Sequence, residues 1–348
     1  MRRVFSIISV LFLMSGNTTW AQSLAQRFPI VKMKPMVYEC QKTSEGTITI
    51  DGKLDEDAWK NAPETTPFLD ICGKEAAKYR TTARMLWDYT YFYVAAVLPE
   101  PKINARLQHR DEIIWKENDF EVFLDPNGDG VEYYEIETNA IGTLLDLFMS
   151  RPYRNGGQFF SAWDCPGLKV ATHIEGTLND DTDTDNLWSV ELAIPHKALS
   201  VGFDDGLKQS NLWRVNFSRV EWLKKGGPEE NWVWAPTGEV NIHMPECWGY
   251  VHLSKDGKKA KVDLEKHAAR CLLSALSYAQ QSYKNKHKAY TNDAAKLGFT
   301  NKDAAHIQGF RSLRIEATTN FYEMRLQTQK AVYTLDFTGR FSSRKLRK

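Results

Sequence analysis

Asp119, Glu121, Glu135, Glu137 and Asn139 fall in two short runs that alternate with apolar residues, and between the runs stands "DPNGDG", positions 125–130. Side chains at alternate positions of a strand share one face. A hairpin with Phe120 opposite Ile136 therefore puts Phe120, Val122, Leu124, Tyr134 and Ile136 on an apolar face and the four carboxylates and Asn139 on the other. Unless solvent screens them, four carboxylates on one face repel one another, and they call for a cation or for a ligand that donates hydrogen bonds. In this register Glu121 faces Glu135 at about 5 Å between Cβ atoms, close to the ~5–5.5 Å carboxyl separation of retaining glycosidases. A glycoside hydrolase acting through Glu121 and Glu135 thus stands beside a binding site as an alternative. Trp115, four residues before Asp119 and in a loop, offers the aromatic face on which a sugar ring stacks.

The "DPNGDG" stretch has two readings. Asp125, Asn127 and Asp129 occupy the first, third and fifth positions of an EF-hand calcium loop, with Gly130 at its turn position. Ile136 stands where the bidentate Glu belongs, and the flanks are strands rather than helices. Asp-Pro and Gly-Asp-Gly are also what a hairpin turn requires. A turn is the favoured reading, with calcium the candidate cofactor at Asp125, Asn127 and Asp129.

The elements that must position these residues are short strands. From about 36 to 254 the chain alternates β-branched and aromatic residues between turn signals, which predicts a mainly β chain folded as an immunoglobulin-like or jelly-roll sandwich. "GTITIDGKLDEDAW" predicts a strand, a turn at Asp51-Gly52 and a short helix. "TARMLWDYTYFYVAAVLPEP" predicts a hairpin, "LWSVELAIPHKAL" a strand ended by Pro195, and "LWRVNFSRVEWL" and "CWGYVHLS" two more. After 254 the period changes to that of an amphipathic helix capped by Asp263, then a short helix closed by Gly298, then strands, so 260–348 reads as a small α+β unit.

Charge is divided the same way. The 19 Lys and Arg against 7 Asp and Glu from Lys258 onward leave 26 against 37 for the rest, so an acidic domain precedes a basic one. The basic unit could dock on the acidic domain or touch anionic glycans or a membrane surface. Five cysteines without metal or haem-attachment spacing suggest no disulfide framework. The first 21 residues read as a signal peptide cut after Ala21, placing the mature protein in the periplasm, in the medium or at the cell surface. No later run is long enough to span a bilayer.

Seven blocks, in order, resemble the family 9 carbohydrate-binding modules and their relatives in exported bacterial proteins: "TITIDGKLDEDAW", "ARMLWDYTYFYVAAVLPEP", "WKENDFEVFLDPNGDG", "YYEIETNAIGTLLD", "WSVELAIP", "WRVNFSRVEW" and "WVWAPTGEVNIHMPECWGYVHL". The resemblance covers about 36–254. It implies a β-sandwich that binds oligo- or polysaccharide without catalysis, often with calcium, holding a chain end between two tryptophans. Residue by residue it makes Trp115 one stacking tryptophan, Glu121 a carboxylate that bonds sugar hydroxyls and Asn139 a polar contact. Two positions depart from it: Glu137 stands where the sugar-binding version has an arginine, and Ile242 or His243 where the second tryptophan would be. Trp234 and Trp248, nearby, read as strand core.

A further alternative is a haem-binding redox module, for which His243-Met244 and Met85 are the candidate ligands. Serine-nucleophile and phosphate-loop signatures are absent. The basic unit lacks the interleaved aromatics of an RNA-binding sheet, so nucleic acid is not an expected partner.

Overall fold

The computed structural model describes residues 23–201, 206–224, 226–255 and 257–347; the expected signal peptide lies outside them. Thirteen strands build the first sheet: β1 (Val37–Lys42), β2 (Leu69–Asp70), β3 (Thr82–Trp87), β4 (Tyr91–Pro99), β5 (Asp119–Asp125), β6 (Tyr133–Asn139), β7 (Leu144–Met149), β8 (Phe159–Phe160), β9 (Lys169–Glu175), β10 (Leu187–Pro195), β11 (Leu212–Glu221), β12 (Glu230–Val233) and β13 (Gly249–Ser254). They run β8-β7-β6-β5-β11-β13-β1-β3-β4-β10-β9, with β12 on β11 and β2 on β12. Among the described residues only β1 pairs in parallel, with β13 and β3. The sheet curls over one apolar face into a sandwich whose core holds Trp87, Phe120, Trp188, Trp213 and Trp234. Most of the tryptophans thus serve packing.

The expected strand over "TITID" is not formed. Its amides bond to side chains instead of to a ladder: Thr49 N–H donates to Glu56 Oε1 at 2.8 Å, and Asp51 and Gly52 N–H donate to Glu191 Oε2 at 3.1 and 2.8 Å. The other oxygen of Glu191 accepts from the indole of Trp59 at 2.6 Å, and Trp59 is fully buried on the short helix Asp57–Asn61. Gly52 has φ +85°, and a Cβ there would lie 2.4 Å from the Thr172 backbone, so only glycine lets the turn lie against β9.

A second sheet follows, β14 (Phe310–Ala317), β15 (Tyr322–Thr328), β16 (Ala331–Asp336) and β17 (Phe341–Lys345), antiparallel in that order. The helix Leu264–His287 packs on it, and its cap Asp263 accepts from the Lys266 amide at 3.0 Å. Leu272, Leu276, Met324 and Leu335 form the core between them. The expected short helix is a 3-10 turn, Ala294–Leu297, closed by Gly298 at φ 86°. Residues from the other end of the chain complete this core: Leu24, Ile30 and Val31 are buried in it, and Arg27 donates to the Leu297 carbonyl at 2.8 Å.

Candidate functional site

Register decides which acids meet. β5 and β6 pair Asp119 with Asn139, Glu121 with Glu137, Val122 with Ile136 and Phe123 with Glu135. This lies two residues from the expected register, so each side chain keeps its face while its partner changes. Glu121 opposes Glu137, and the expected Glu121–Glu135 pair of a hydrolase is not a cross-strand pair. The turn is responsible: both oxygens of Asp125 accept amides, from Gly128 and Gly130, each at 2.9 Å, and coil the loop until the ladder resumes with Leu124 opposite Tyr134.

The polar face is not open to water. Asp119 and Glu137 are 0% exposed and Glu121 and Glu135 each 5%. The cover is a second apolar cluster on this side of the sheet, with Ile114, Phe123, Tyr133, Leu147 and Trp248, against which Trp115 and Ile242 pack. Ile114 anchors the 3-10 turn Ile114–Lys116, and the Trp222 indole fixes that turn by donating to the Trp115 carbonyl at 3.1 Å.

Under this cover lies a cavity of about 270 Å³, lined by Trp115, Glu121, Glu135, Glu137 and His243 together with Tyr153, Phe159, Ile242 and Glu229. Trp115, Glu121, Glu137 and His243, distant in sequence, therefore meet in one place. Asn139 does not join them: its Nδ2 donates to Glu117 Oε1 at 2.7 Å and to the Leu107 carbonyl at 2.9 Å, and its Oδ1 accepts from Ile141 and Thr143 amides. Tyr153 and Phe159, 45% and 49% exposed, were missed by the sequence reading. Their only signal is an aromatic cluster in the glycine-containing "RPYRNGGQFF".

Among the described residues no Lys or Arg lines the cavity. Burial raises the Glu121 carboxyl to about 7, a hydrogen bond from Ser218 working against the rise and Glu229 adding to it. Burial and the neighbouring acids push Asp119, Glu135 and Glu137 well above the usual carboxylate range. His243 supplies no positive charge, because burial and then Arg154 hold it down at about 3. Its Nδ1 sits 3.0 Å from the Tyr133 hydroxyl and its Nε2 4.0 Å from Glu135. Among the described residues no N–H or hydroxyl reaches either oxygen of Glu137 or Oδ2 of Asp119.

The haem ligands suggested by sequence do not converge: Met85 is buried in the sandwich core, Met244 in the core of the C-terminal unit, and His243 lines the cavity. Trp234 and Trp248 are 2% and 1% exposed and present no stacking face.

The "DPNGDG" loop turns toward cations of the protein itself. Arg340 Nη1 is 2.7 Å from Asp129 Oδ2 and its Nη2 is 2.6 Å from Glu132, while Arg270 donates to the Gly128 carbonyl. The Asn127 oxygen accepts the Asp129 amide at 2.9 Å, and the Phe341 amide donates to the Asp129 carbonyl at 2.7 Å. A calcium ion needs bare oxygens without a neighbouring guanidinium, so this donor set does not fit one. The loop is a hairpin turn, and it is where the basic C-terminal unit docks.

A family model described as carbohydrate family 9 binding domain-like matches residues 50–256, the greater part of the sandwich. The chain belongs to the carbohydrate family 9 binding domain-like family. Within the curated proteins, an exoglucanase of Acetivibrio thermocellus, XynX, is 28% identical over 165 residues, which are 46% of this chain and 13% of that protein. Endo-1,4-beta-xylanase C of Paenibacillus barcinonensis is 33% identical over 94 residues, 27% of this chain and 8% of that protein. The chain thus spans a small part of the length of these glycosidases. A family 9 module of Caldicellulosiruptor kristjanssonii, solved in complex with cellotriose, aligns over 65% of this chain and 97% of its own, at 16% identity and a TM-score of 0.43. The segment shared with the glycosidases is the family 9 domain, and carbohydrate binding without catalysis is the function that goes with it.

Proposed function

We propose that the family 9 domain of this chain binds carbohydrate in the Trp115 cavity, as an exported protein of the periplasm or cell surface, and does not cleave what it binds. The convergence of Trp115, Glu121, Glu137 and His243 on one cavity flanked by Tyr153 and Phe159 carries this reading. A sugar ring offers an apolar face to Trp115, and its hydroxyls donate to the carboxylates that line the cavity, for which among the described residues no lining Lys or Arg competes. Phe159 takes the role the resemblance gives to a second tryptophan, and Glu137 in place of an arginine turns the polar wall from donor to acceptor. That exchange favours ligands that bring their own donors or positive charge. Among the described residues no helix is long and apolar enough to cross a membrane.

The test is calorimetric titration of the mature chain with glucose, cello- and xylo-oligosaccharides and acidic and amino sugars, beside Trp115→Ala and Phe159→Ala. Loss of one stacking ring weakens binding about tenfold, or about 1.4 kcal/mol. Saturable heat diminished in both variants supports the site. No saturable heat across the panel, or binding untouched by Trp115→Ala, refutes it. Absence of reducing-sugar release from the same oligosaccharides supports the non-catalytic reading, and release overturns it.

A further inference from the structure

We propose that Asp119, Glu121 and Glu137 hold one divalent cation of the hard, oxygen-preferring class, calcium foremost, in the wall of this cavity. One carboxylate oxygen from each of the three lies within 4.8 Å of the others. Two ligands on opposite sides of a calcium ion, each at about 2.4 Å, are about that far apart. All three oxygens therefore fit one coordination sphere with little movement of the strands.

A cluster of acids alone is no site, but two of these acids hold buried oxygens that no N–H or hydroxyl of the described residues reaches. Among the described residues no N–H or hydroxyl donates to either oxygen of Glu137 or to Oδ2 of Asp119, although both residues are 0% exposed, and the one side chain that reaches Glu137 is another buried acid, Glu135. Ser218, opposite Glu121 on β11 and fully buried, turns its hydroxyl to the Glu121 carboxyl and brings a further oxygen to the group. Ser218, Glu121 and Glu137 thus form one cross-strand row on β11, β5 and β6, with Asp119 two residues along β5 on the same face. Buried carboxylates are found paired or coordinating a metal, and among the described residues no Lys or Arg lines the cavity to pair with these.

The ligand set is oxygen only, which selects calcium or magnesium over zinc or copper. Calcium accepts six to eight oxygens with flexible geometry. Asp119 Oδ1 is engaged by the Val220 amide at 3.1 Å, so the protein leaves coordination positions unfilled. Glu121 and Glu137 stand in the cavity wall, so an ion held between them borders the space that adjacent hydroxyls of a sugar would enter. This last step alone rests on the carbohydrate reading given above.

The experiment is calorimetric titration of the chelator-stripped full chain with calcium chloride, with magnesium chloride and potassium chloride in parallel. It is repeated on Glu137→Gln, Asp119→Asn and, in the hairpin loop, Asp129→Asn, each checked for folding by circular dichroism. One calcium per chain is expected, weakened at least tenfold in Glu137→Gln and Asp119→Asn and unchanged in Asp129→Asn. No saturation at millimolar calcium overturns the proposal, as does equal affinity in Glu137→Gln. Loss in Asp129→Asn with retention in Glu137→Gln overturns it too and returns the ion to the loop. Should either cavity variant not fold, the other decides. Sugar titrations with calcium and with chelator separate the two readings: sugar bound with no calcium uptake defeats only the ion, and calcium uptake with no sugar bound defeats only the carbohydrate reading.

Discussion

Replacing Glu121 by Gln in chelating buffer should stabilise the protein at neutral pH and leave it unchanged in acid. Glu121 is 5% exposed, and burial, opposed by a hydrogen bond from Ser218 and helped by Glu229, raises its carboxyl from 4.5 to about 7. A carboxyl whose folded-state value lies above its unfolded one binds more protons folded than unfolded between the two. Stability contributed by the protonated form is therefore complete below about 4.5 and declines as pH rises toward about 7. Each tenfold change in a proton equilibrium is worth about 1.4 kcal/mol, so ionising Glu121 opposes folding by about 3 kcal/mol above pH 7. Gln has the same shape and no charge to bury. Melting temperatures of wild type and Glu121→Gln, followed by circular dichroism from pH 4 to 8, should coincide near pH 4 and separate by several degrees at pH 8, at about 2–4 °C per kcal/mol. Using the difference matters because His243 and His267, held down at about 3 and about 4 chiefly by burial, act in the opposite sense as pH falls below their ordinary range. A variant no more stable than wild type at pH 8, or a gap that does not vary with pH, refutes the reasoning.

Three more outcomes follow from the geometry. Arg340→Ala and Asp129→Asn should each loosen the C-terminal unit, with a coupling in the double-mutant cycle of about 1 kcal/mol, because Arg340 is 39% exposed and solvent screens the pair; strictly additive effects on thermal stability would show that the pair does not hold the units together. Gly52→Ala should destabilise by at least about 2 kcal/mol in urea unfolding, from its positive φ and the collision with Thr172, and an unchanged midpoint would contradict the close packing of that turn. All five cysteines are free, and only Cys72 is not buried, so a thiol reagent should modify one residue rapidly and the rest only on unfolding; two or more fast thiols in the folded chain would disprove this burial.

Much of the architecture is legible in local pattern. The aromatic and β-branched runs "TARMLW" and "YFYVAAVLP", broken at Asp88-Tyr89-Thr90, mark β3 and β4, and the 3.6-residue period after Asp263 marks the long helix, because residue type and period are local signals. The face on which each of Asp119, Glu121, Glu135 and Glu137 lies is equally local, since a two-residue shift of register leaves strand faces unchanged. The absence of a strand at "TITID" was not legible: Glu191, which takes its amides, is remote in sequence. Nor was the partner of Glu121, which depends on how the Asp125 carboxylate coils the turn.

What the sequence by itself determined is the set of acids sharing one face, Trp115 beside them, and a basic unit following an acidic one. Only the tertiary structure decided that this face is covered rather than wet, because the cover comes from Ile114, Leu147, Trp248 and Ile242 on separate parts of the chain. It also decided that Tyr153 and Phe159, not Trp234 or Trp248, join Trp115 at the cavity. The surroundings of "DPNGDG" were decided in the same way. Its oxygens suit a cation in isolation, and they are engaged here because the fold brings Arg270 and Arg340, from the far end of the chain, to the same turn.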